Sequence, residues 1–159
     1  MTINNFDHII KSNNYDIIHQ EKLEYHEEIS KSSELILTIR ENNIRIKFDL
    51  KKENEINKSD FLFIPETDFL FYRGEIEWCA FDLKSKTVKR NESATQLHFL
   101  ERKKDVVIIF DELYAESTNL KAEKIDKVPI DPPTESTDFE DRIEFDSPVF
   151  GKQILKLKI

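Results

Sequence analysis

The sequence predicts an all-β protein, folded as an antiparallel multi-hairpin sandwich, barrel or propeller-like meander. Apolar and polar residues alternate over two consecutive runs, Leu35–Ile39 and Ile44–Leu50, which an Asn-containing turn separates. Two alternating runs around such a turn are typical of a β-hairpin. About ten short runs of this kind follow one another, as in all-β sandwiches and barrels. No long amphipathic helix interrupts them.

The N-terminal segment gives a weaker signal. Three apolar residues at helical spacing predict one short helical turn over Asn5–Lys11. Asp16–Ile29 fits neither period, because its Glu and Lys residues favour a helix whereas the alternation of Leu23 and Tyr25 favours a strand. We expect a strand there, since the pattern that follows is β throughout.

The predicted strands in the middle of the chain are bounded by proline, glycine and charged turns. Pro65 ends the first of them, and Arg73-Gly74 ends the second. We expect a charged turn at Glu101–Asp105. The strands predicted in this part cover Phe61–Ile64, Phe69–Tyr72, Glu75–Leu83, Thr87–Val88, Gln96–Leu100, Val106–Phe110, Leu113–Ser117 and Glu123–Val128.

The C-terminal part begins with an extended connector, because the prolines between Pro129 and Pro133 restrict the backbone. A final hairpin follows, with strands over Arg142–Asp146 and Lys152–Ile159. The whole chain, 1–159, is expected to form one domain, since its length lies in the usual range for one.

One short pattern recurs along the chain. Phe48-Asp49-Leu50-Lys51 returns as Phe81-Asp82-Leu83-Lys84 and, more weakly, as Thr118-Asn119-Leu120-Lys121. The two later copies lie where a strand leads into a lysine-rich turn, as one hairpin unit per repeat would place them. Over about ten residues each, they resemble the blade turns of quinoprotein-type β-propellers. They lack the turn glycine and closing tryptophan of those blades, so recurrent hairpin chemistry is the preferred interpretation and no family follows.

The composition argues against several classes of protein. The formal net charge of −8 and the pI of about 5.1 repel nucleic-acid backbones and anionic membranes and attract basic partners. The single cysteine, Cys79, forms neither an internal disulfide nor a multi-cysteine metal site. The first residues lack the features of a secretory leader, and no run reaches the ~20 apolar residues of a membrane helix. We therefore expect a cytoplasmic protein.

Two carboxylates follow the most apolar predicted strand. Asp111 and Glu112, directly after Val106–Phe110, are placed like the magnesium-binding and basic carboxylates of nucleotide hydrolases. That chemistry also needs a glycine-rich phosphate loop, and the two glycines of the chain, Gly74 and Gly151, open none. We interpret both carboxylates as solvated charges at the end of a core strand.

Histidine and cysteine offer weaker alternatives. As a strand, residues 24–28 would carry Glu24, His26 and Glu28 on one face, where they could hold a divalent metal. Zinc usually requires a tighter set of nitrogen and sulfur ligands, so we predict no metal and no cofactor. Cys79 lies in an apolar stretch and is interpreted as a buried, inert thiol, although a distant histidine could reach it in space.

The sequence also contains the residue types of a nuclease site. Asp82, Glu101 and Lys103 match the residue types of a restriction-type nuclease. Glu101–Lys103 reads as a turn, however, and the acidic chain opposes DNA approach. No catalytic residue is therefore predicted.

Aromatic residues cluster between residues 61 and 81. Runs such as Phe69–Tyr72 must be apolar on both faces, because successive side chains of a strand alternate. Either both faces are covered inside the fold, which we expect, or one face binds a partner. Aromatic and arginine side chains dominate binding sites, and carboxylates stand nearby. The predicted partner-binding residues are Glu66, Asp68, Tyr72, Arg73, Glu75, Glu77 and Trp78.

These observations predict a non-enzymatic, acidic protein-binding module. Its most concrete version is a small bacterial immunity-type inhibitor of a basic protein toxin. One alternative is a structural or self-assembling β-rich subunit that associates through strand edges. Another is a ligand-binding or metal-dependent hydrolytic β-barrel that uses His26 or Asp111. The oligomeric state is left open.

Overall fold

The computed structural model describes residues 2–7, 14–21, 29–39, 42–51 and 56–158, and it confirms the all-β fold class. These residues form fifteen strands and one 3-10 turn, Lys58–Asp60. No helix among them has the length and apolar character needed to cross a bilayer. The strands assemble into four separate sheets of three or four strands each, and they do not close into a barrel.

The first sheet has the strand order β1-β3-β4-β2. Its strands are β1 Thr2–Asp7, β2 Ile17–Gln20, β3 Ile29–Ile39 and β4 Asn42–Lys51. The antiparallel pair β3 and β4 is the hairpin that the alternation predicts, with Leu35 opposite Ile46. β2 pairs in parallel with β4 and lies at the edge of the sheet. It occupies this position although it precedes β3 and β4 in the chain.

The predicted helical turn over Asn5–Lys11 is wrong where the structure describes it. Asn5–Asp7 belong to β1, which runs antiparallel to β3 with Asn5 opposite Leu35. A few apolar residues at helical spacing do not outweigh a backbone ladder along a long neighbouring strand, because short isolated helices are marginal. The strand expected after Asp16 is confirmed at Ile17–Gln20, and residues 22–28 lie outside the described ranges.

The second and third sheets are four-stranded antiparallel meanders. The second contains β5 Phe61–Ile64, β6 Phe69–Arg73, β7 Glu77–Asp82 and β8 Thr87–Ser93. The third contains β9 Leu97–Lys103, β10 Val106–Asp111, β11 Tyr114–Asn119 and β12 Lys124–Pro129.

The charged turn expected at Glu101–Asp105 is shorter than predicted. β9 continues through Lys103, which pairs with Val106, so only Lys104 and Asp105 form the turn. Charged side chains do not end a strand when they point to solvent, because the backbone ladder does not depend on them. Glu101–Lys103 therefore belong to a strand, and the predicted turn at these residues is wrong.

The fourth sheet contains β13 Glu135–Asp138, β14 Arg142–Ser147 and β15 Gly151–Lys156. The hairpin of β14 and β15 is the one predicted at the end of the chain. β13 lies between the predicted connector, Pro129–Pro133, and the predicted hairpin, where the sequence predicts no strand, and all four of its side chains are exposed. The sequence of β13 shows no alternation of apolar and polar residues, because none of its side chains is buried.

The four sheets stack face to face, and each neighbouring pair shares one apolar layer. The layer between the first and second sheets includes Leu35, Ile46, Phe48, Leu70, Tyr72 and Phe81. The next includes Phe69, Phe71, Trp78, Ala80, Val107 and Ile109. The last, between the third and fourth sheets, includes Val106, Ile108, Val128, Ile143, Phe145 and Leu155.

This stacking explains the contiguous aromatic runs of the second sheet. Along β6, Leu70 and Tyr72 face the first sheet, whereas Phe69 and Phe71 face the third. All four are at most 5% exposed. The expectation that both faces of this segment are covered inside the fold is therefore confirmed.

The second and third sheets repeat one structural unit. Asp68 and Lys104 lie in the first hairpin turn of each sheet and share positive φ values of 56° and 55°. Lys86 and Ala122 lie in the last hairpin turn of each, with φ values of 57° and 61°. The members of each pair are 36 residues apart. The two sheets are thus built from equivalent hairpins.

Two of the three copies of the recurring sequence pattern occupy equivalent turns. Oδ1 of Asp82 accepts hydrogen bonds from the backbone N–H groups of Lys84 and Ser85, at 3.0 and 3.2 Å. Oδ1 of Asn119 accepts two bonds from its own turn, at 2.9 and 3.0 Å. Asp49, in the first copy, bonds to side chains within its sheet instead. Side-chain capping of a turn explains the later two copies.

Candidate functional site

The structure separates the predicted partner-binding residues into buried and accessible ones. Tyr72, Glu77 and Trp78 are at most 3% exposed and belong to the interior, where another protein cannot contact them. Trp78 packs against the third sheet, and the Arg90 guanidinium covers its ring at 4.5 Å. The run of aromatic residues in β6 and β7 is therefore explained by the second sheet, which is covered on both faces.

The four accessible residues of that set do not form one surface. Glu66 and Asp68 lie in the turn before β6, whereas Arg73 ends the strand and Glu75 lies in the turn after it. A five-residue strand separates its two ends by about 15 Å. Glu66 pairs with Arg102 of the third sheet at 2.8 Å. A binding role for these four residues stays a prediction.

Asp111 is not the solvated charge that the sequence suggests. Its side chain is fully buried, and its two oxygens accept backbone hydrogen bonds from Thr95 at 2.6 Å and Leu113 at 2.8 Å. A carboxylate that caps two backbone N–H groups has a structural role at the end of β10. Glu24, His26 and Glu28 lie outside the described residues.

Among the described residues, accessible negative charge is concentrated in β13, β14 and the residues that flank β13. The segment Asp131–Asp146 contains seven carboxylates and one cation, Arg142, which gives it six of the eight net negative charges of the chain. None of the seven carboxylates is buried. The edge strand β13 lies at the centre of this segment. We call Asp131–Asp146 the acidic segment.

Part of this charge is balanced by neighbouring cations. Lys103 pairs with Asp138 and Lys104 pairs with Glu140, each at 2.8 Å. The hydrogen bond from Lys104 lowers the pKa of Glu140. Among the described residues, neither Glu135 nor Asp146 forms an ion pair. The charge of the acidic segment therefore stays concentrated at this end of the sheet.

Glu135 and Asp146 lie opposite each other on the outer face of the fourth sheet. The outer face is the one turned away from the stack, since the alternate residues of β14 point inward. It forms a shallow depression of about 200 Å³ that is also lined by Glu144, by Ile154 and by one cation, Lys152, which lies opposite Asp146. Ile154 is 50% exposed, and Val149 in the next turn is 67% exposed. Apolar and acidic groups thus share one open surface.

A second cluster lies between the first and second sheets. β2 carries His19, and β7 carries Glu77 and Cys79, whose spacing of two places both on the same face of the strand. His19 Nε2 lies 2.7 Å from Glu77 Oε1, and Cys79 Sγ lies 3.6 Å from the same nitrogen. All three side chains are at most 1% exposed. We call these residues the buried cluster.

Aromatic rings enclose the buried cluster. The rings of Phe48, Tyr72 and Phe81 contact the His19 imidazole with centroid separations between 5.4 and 5.9 Å. Burial and the carboxylates of Glu21 and Glu77 raise the pKa of the Tyr72 phenol, which therefore stays neutral. The Cys79 thiol, the His19 imidazole and the Glu77 carboxylate are the groups of a nucleophilic catalytic site. The surrounding aromatic rings, however, keep a substrate from the thiol. The arrangement suits an ion pair or a bound cation.

Sequence reasoning missed most of both sites. Cys79 is buried as predicted, but its contact with His19 joins residues that are 60 positions apart. Glu77 alternates in sequence like a surface residue, and the added edge strand β2 brings His19 to it. The acidic segment was readable as a local excess of Asp and Glu. Comparisons with protein-family models, curated proteins and solved structures found no match for this chain.

Proposed function

We propose that this chain is a non-enzymatic protein-binding module that binds a basic protein through its acidic segment. The concrete version is an immunity-type inhibitor that acts in the cytoplasm against a basic protein toxin. The observation that supports it most is the net charge of −6 on the acidic segment, which lies in β13, β14 and the residues that flank β13. Such a field attracts a cationic partner and speeds the encounter.

The outer face of the fourth sheet supplies the other components of a binding surface. Exposed Ile154 and Val149 offer apolar contact beside the carboxylates of Glu135 and Asp146. Interfaces combine apolar anchors with a polar rim in this way. β13 is an edge strand, so its outer backbone edge can also pair with an extended segment of the partner.

A self-assembling subunit is the less supported alternative. Two copies that met at β13 would bring two sets of carboxylates together, including Glu135 and Asp138 of each. Like charges across a strand pair are destabilising, and charged edges are a common protection against self-pairing. A partner of opposite charge meets no such penalty.

The test uses capture by the purified, immobilised protein from a lysate of its native host at low salt. The double variant Glu135→Lys/Asp146→Lys changes the binding face, and Glu66→Lys/Glu75→Lys changes the net charge equally at a distance from it. We expect the first variant to lose at least tenfold in affinity for the captured basic protein and the second to bind nearly as the unchanged chain does. Equal loss in both variants, or retention in the first, would contradict the proposal.

A toxin-specific readout completes the test. Where the captured protein arrests growth when expressed alone, co-expression of this chain is expected to restore growth. The Glu135→Lys/Asp146→Lys variant should then fail to protect while its circular dichroism spectrum stays unchanged. Protection by that variant would place the interface elsewhere.

A further inference from the structure

We propose that the buried cluster is a structural zinc site, in which His19, Glu77 and Cys79 are ligands that fasten β2 of the first sheet to β7 of the second. This inference is independent of the proposed function. It concerns a cluster on the opposite side of the stack from the acidic segment, and it would hold for a protein with any partner.

The donor set matches the metal. Zinc is bound in proteins by imidazole nitrogen, thiolate sulfur and carboxylate oxygen, and the buried cluster offers one of each. The three donor atoms all lie within 4.8 Å of one another. A thiolate and a carboxylate neutralise the two charges of the ion, so the ion and these three ligands together carry no net charge and avoid the cost of an uncompensated buried charge.

The distances are close to those that zinc requires. Two donors at zinc bond lengths in a tetrahedron lie about 3.3 to 3.6 Å apart. The separation of 3.6 Å between Cys79 Sγ and His19 Nε2 already agrees with this. Glu77 Oε1, at 2.7 Å from the same nitrogen, has to move outward by a fraction of an ångström. The imidazole also has to turn, because the sulfur lies 3.7 Å from Nδ1.

Strand geometry positions the ligands in pairs. Glu77 and Cys79 project from one face of β7, and His19 and Glu21 have the same spacing at the end of β2. The backbone N–H of Glu21 bonds to Asp49 at 2.9 Å, which continues the extended strand by one residue. Glu21 is 1% exposed, and its charge acts on Tyr72 together with those of Glu77 and Cys79. Glu21 is therefore our choice for the fourth ligand, and its carboxylate has to move toward the ion, because it lies outside the group of three donors. With Glu21 bound the site carries one net negative charge, which is fewer than the two of a Cys₄ structural zinc site.

The aromatic enclosure indicates a structural rather than a catalytic ion. A catalytic zinc keeps one position open to water or substrate, whereas a structural zinc is closed. Phe48, Tyr72 and Phe81 surround the His19 ring, and none of the three is more than 3% exposed. An ion held there would add to the apolar layer and to the Lys86–Asp16 ion pair that already join the two sheets.

The test measures zinc in the purified full chain. After treatment with a chelator, the protein is titrated with zinc against a chromophoric competitor, and the bound metal is counted by mass spectrometry. We expect one equivalent bound with a dissociation constant below micromolar, and a higher thermal midpoint with zinc than without. No binding by the folded protein at micromolar zinc would overturn the proposal.

Variants assign the ligands. Cys79→Ser and His19→Ala are expected to weaken zinc binding at least a hundredfold, whereas His98→Ala, a histidine of β9, should leave it unchanged. Cobalt gives a readout that does not depend on how stable a variant is. The unchanged chain should show thiolate-to-cobalt charge-transfer absorption, and its absence would overturn the assignment of Cys79. Equal zinc loss in His98→Ala would indicate adventitious binding and overturn the site.

Discussion

Arg90 Nη1 lies 2.6 Å from Glu116 Oε1, and this ion pair connects the edge strand of the second sheet to β11 of the third. The Glu116 side chain is 2% exposed, and the Arg90 guanidinium stacks at 4.5 Å over the Trp78 ring. Lys127 approaches the other Glu116 oxygen at 3.7 Å. A largely buried polar contact therefore adds to the apolar side chains through which these two sheets pack.

Removal of Arg90 should destabilise the fold strongly. Arg90→Met leaves the buried Glu116 with only the more distant Lys127, and loss of one partner from a buried pair costs about 3 kcal/mol. Arg142→Met breaks the exposed pair with Glu144 and should cost less than about 1 kcal/mol. Urea denaturation of both variants measures the difference. Similar costs for the two would show that the Arg90 pair is not buried as described.

Truncation in the layer between the second and third sheets should be costly as well. Phe71 is fully buried there, so Phe71→Ala should lower the free energy of unfolding by about 3 to 5 kcal/mol. Phe150 is 45% exposed in the β14–β15 turn, and Phe150→Ala should cost less than about 1 kcal/mol. Urea denaturation midpoints give both values. A small effect at Phe71 would argue against the stacked arrangement.

The repeated hairpin turns predict a substitution that stabilises. Lys104 has φ of 55°, a conformation that glycine adopts without strain, so Lys104→Gly should raise the free energy of unfolding by up to about 1 kcal/mol. Lys103 forms a comparable ion pair but is part of β9, so Lys103→Gly should lower that free energy by about 1 kcal/mol. Thermal denaturation compares the two variants. Destabilisation by both would contradict the assigned turn.

Alkaline pH should destabilise the protein through Tyr114. Burial, followed by the charge of Asp111, raises the pKa of the Tyr114 phenol to about 12. The folded state holds this proton more tightly than the unfolded state, whose phenol has a pKa of about 10. The protonated Tyr114 phenol therefore contributes fully to the free energy of unfolding below about pH 10, and this contribution is lost as the pH rises from about 10 to 12.

The variant Tyr114→Phe isolates this contribution. Between pH 10 and 12 the free energy of unfolding should fall less in the variant than in the unchanged chain. Since the Tyr114 ring is only about half-buried, we expect the difference to be about 1 kcal/mol. The hydrogen bond from Tyr114 to Ser93 is also removed, but that cost is present at neutral pH and cancels in the slope. Chemical denaturation at several pH values measures it. If the free energy of unfolding fell equally with pH in the variant and the unchanged chain, the effect would not come from Tyr114. Any loss of stability that remains in the variant is attributed to Tyr72, whose pKa is also raised by burial.

The sequence predicted the elements better than their arrangement. Period-two alternation located β3 and β4 because each buries one face, and the apolar runs of β6 and β10 are explained by burial on both faces. β13 buries no side chain and left no such signal. The apolar spacing in β1 predicts a helical turn, because the identity of this segment as a strand depends on its pairing with β3.

Contacts across sheets were beyond a single sequence. Trp78 and Tyr72 have the residue types of a binding site, but the same types fill cores, and only the stacking of sheets distinguishes the two. The contact between His19 and Glu77 depends on β2 joining the edge of the first sheet in parallel. Local alternation carries no information on that pairing.

Hydrogen exchange with and without the basic partner tests the proposed function most directly. The backbone amides of β13, Glu135–Asp138, lie on an exposed edge strand and are expected to exchange fast in the free protein. In the complex we predict slower exchange across β13 and in the β14–β15 turn around Val149. Unchanged exchange there, with protection of the Glu66–Asp68 turn instead, would contradict binding through the acidic segment.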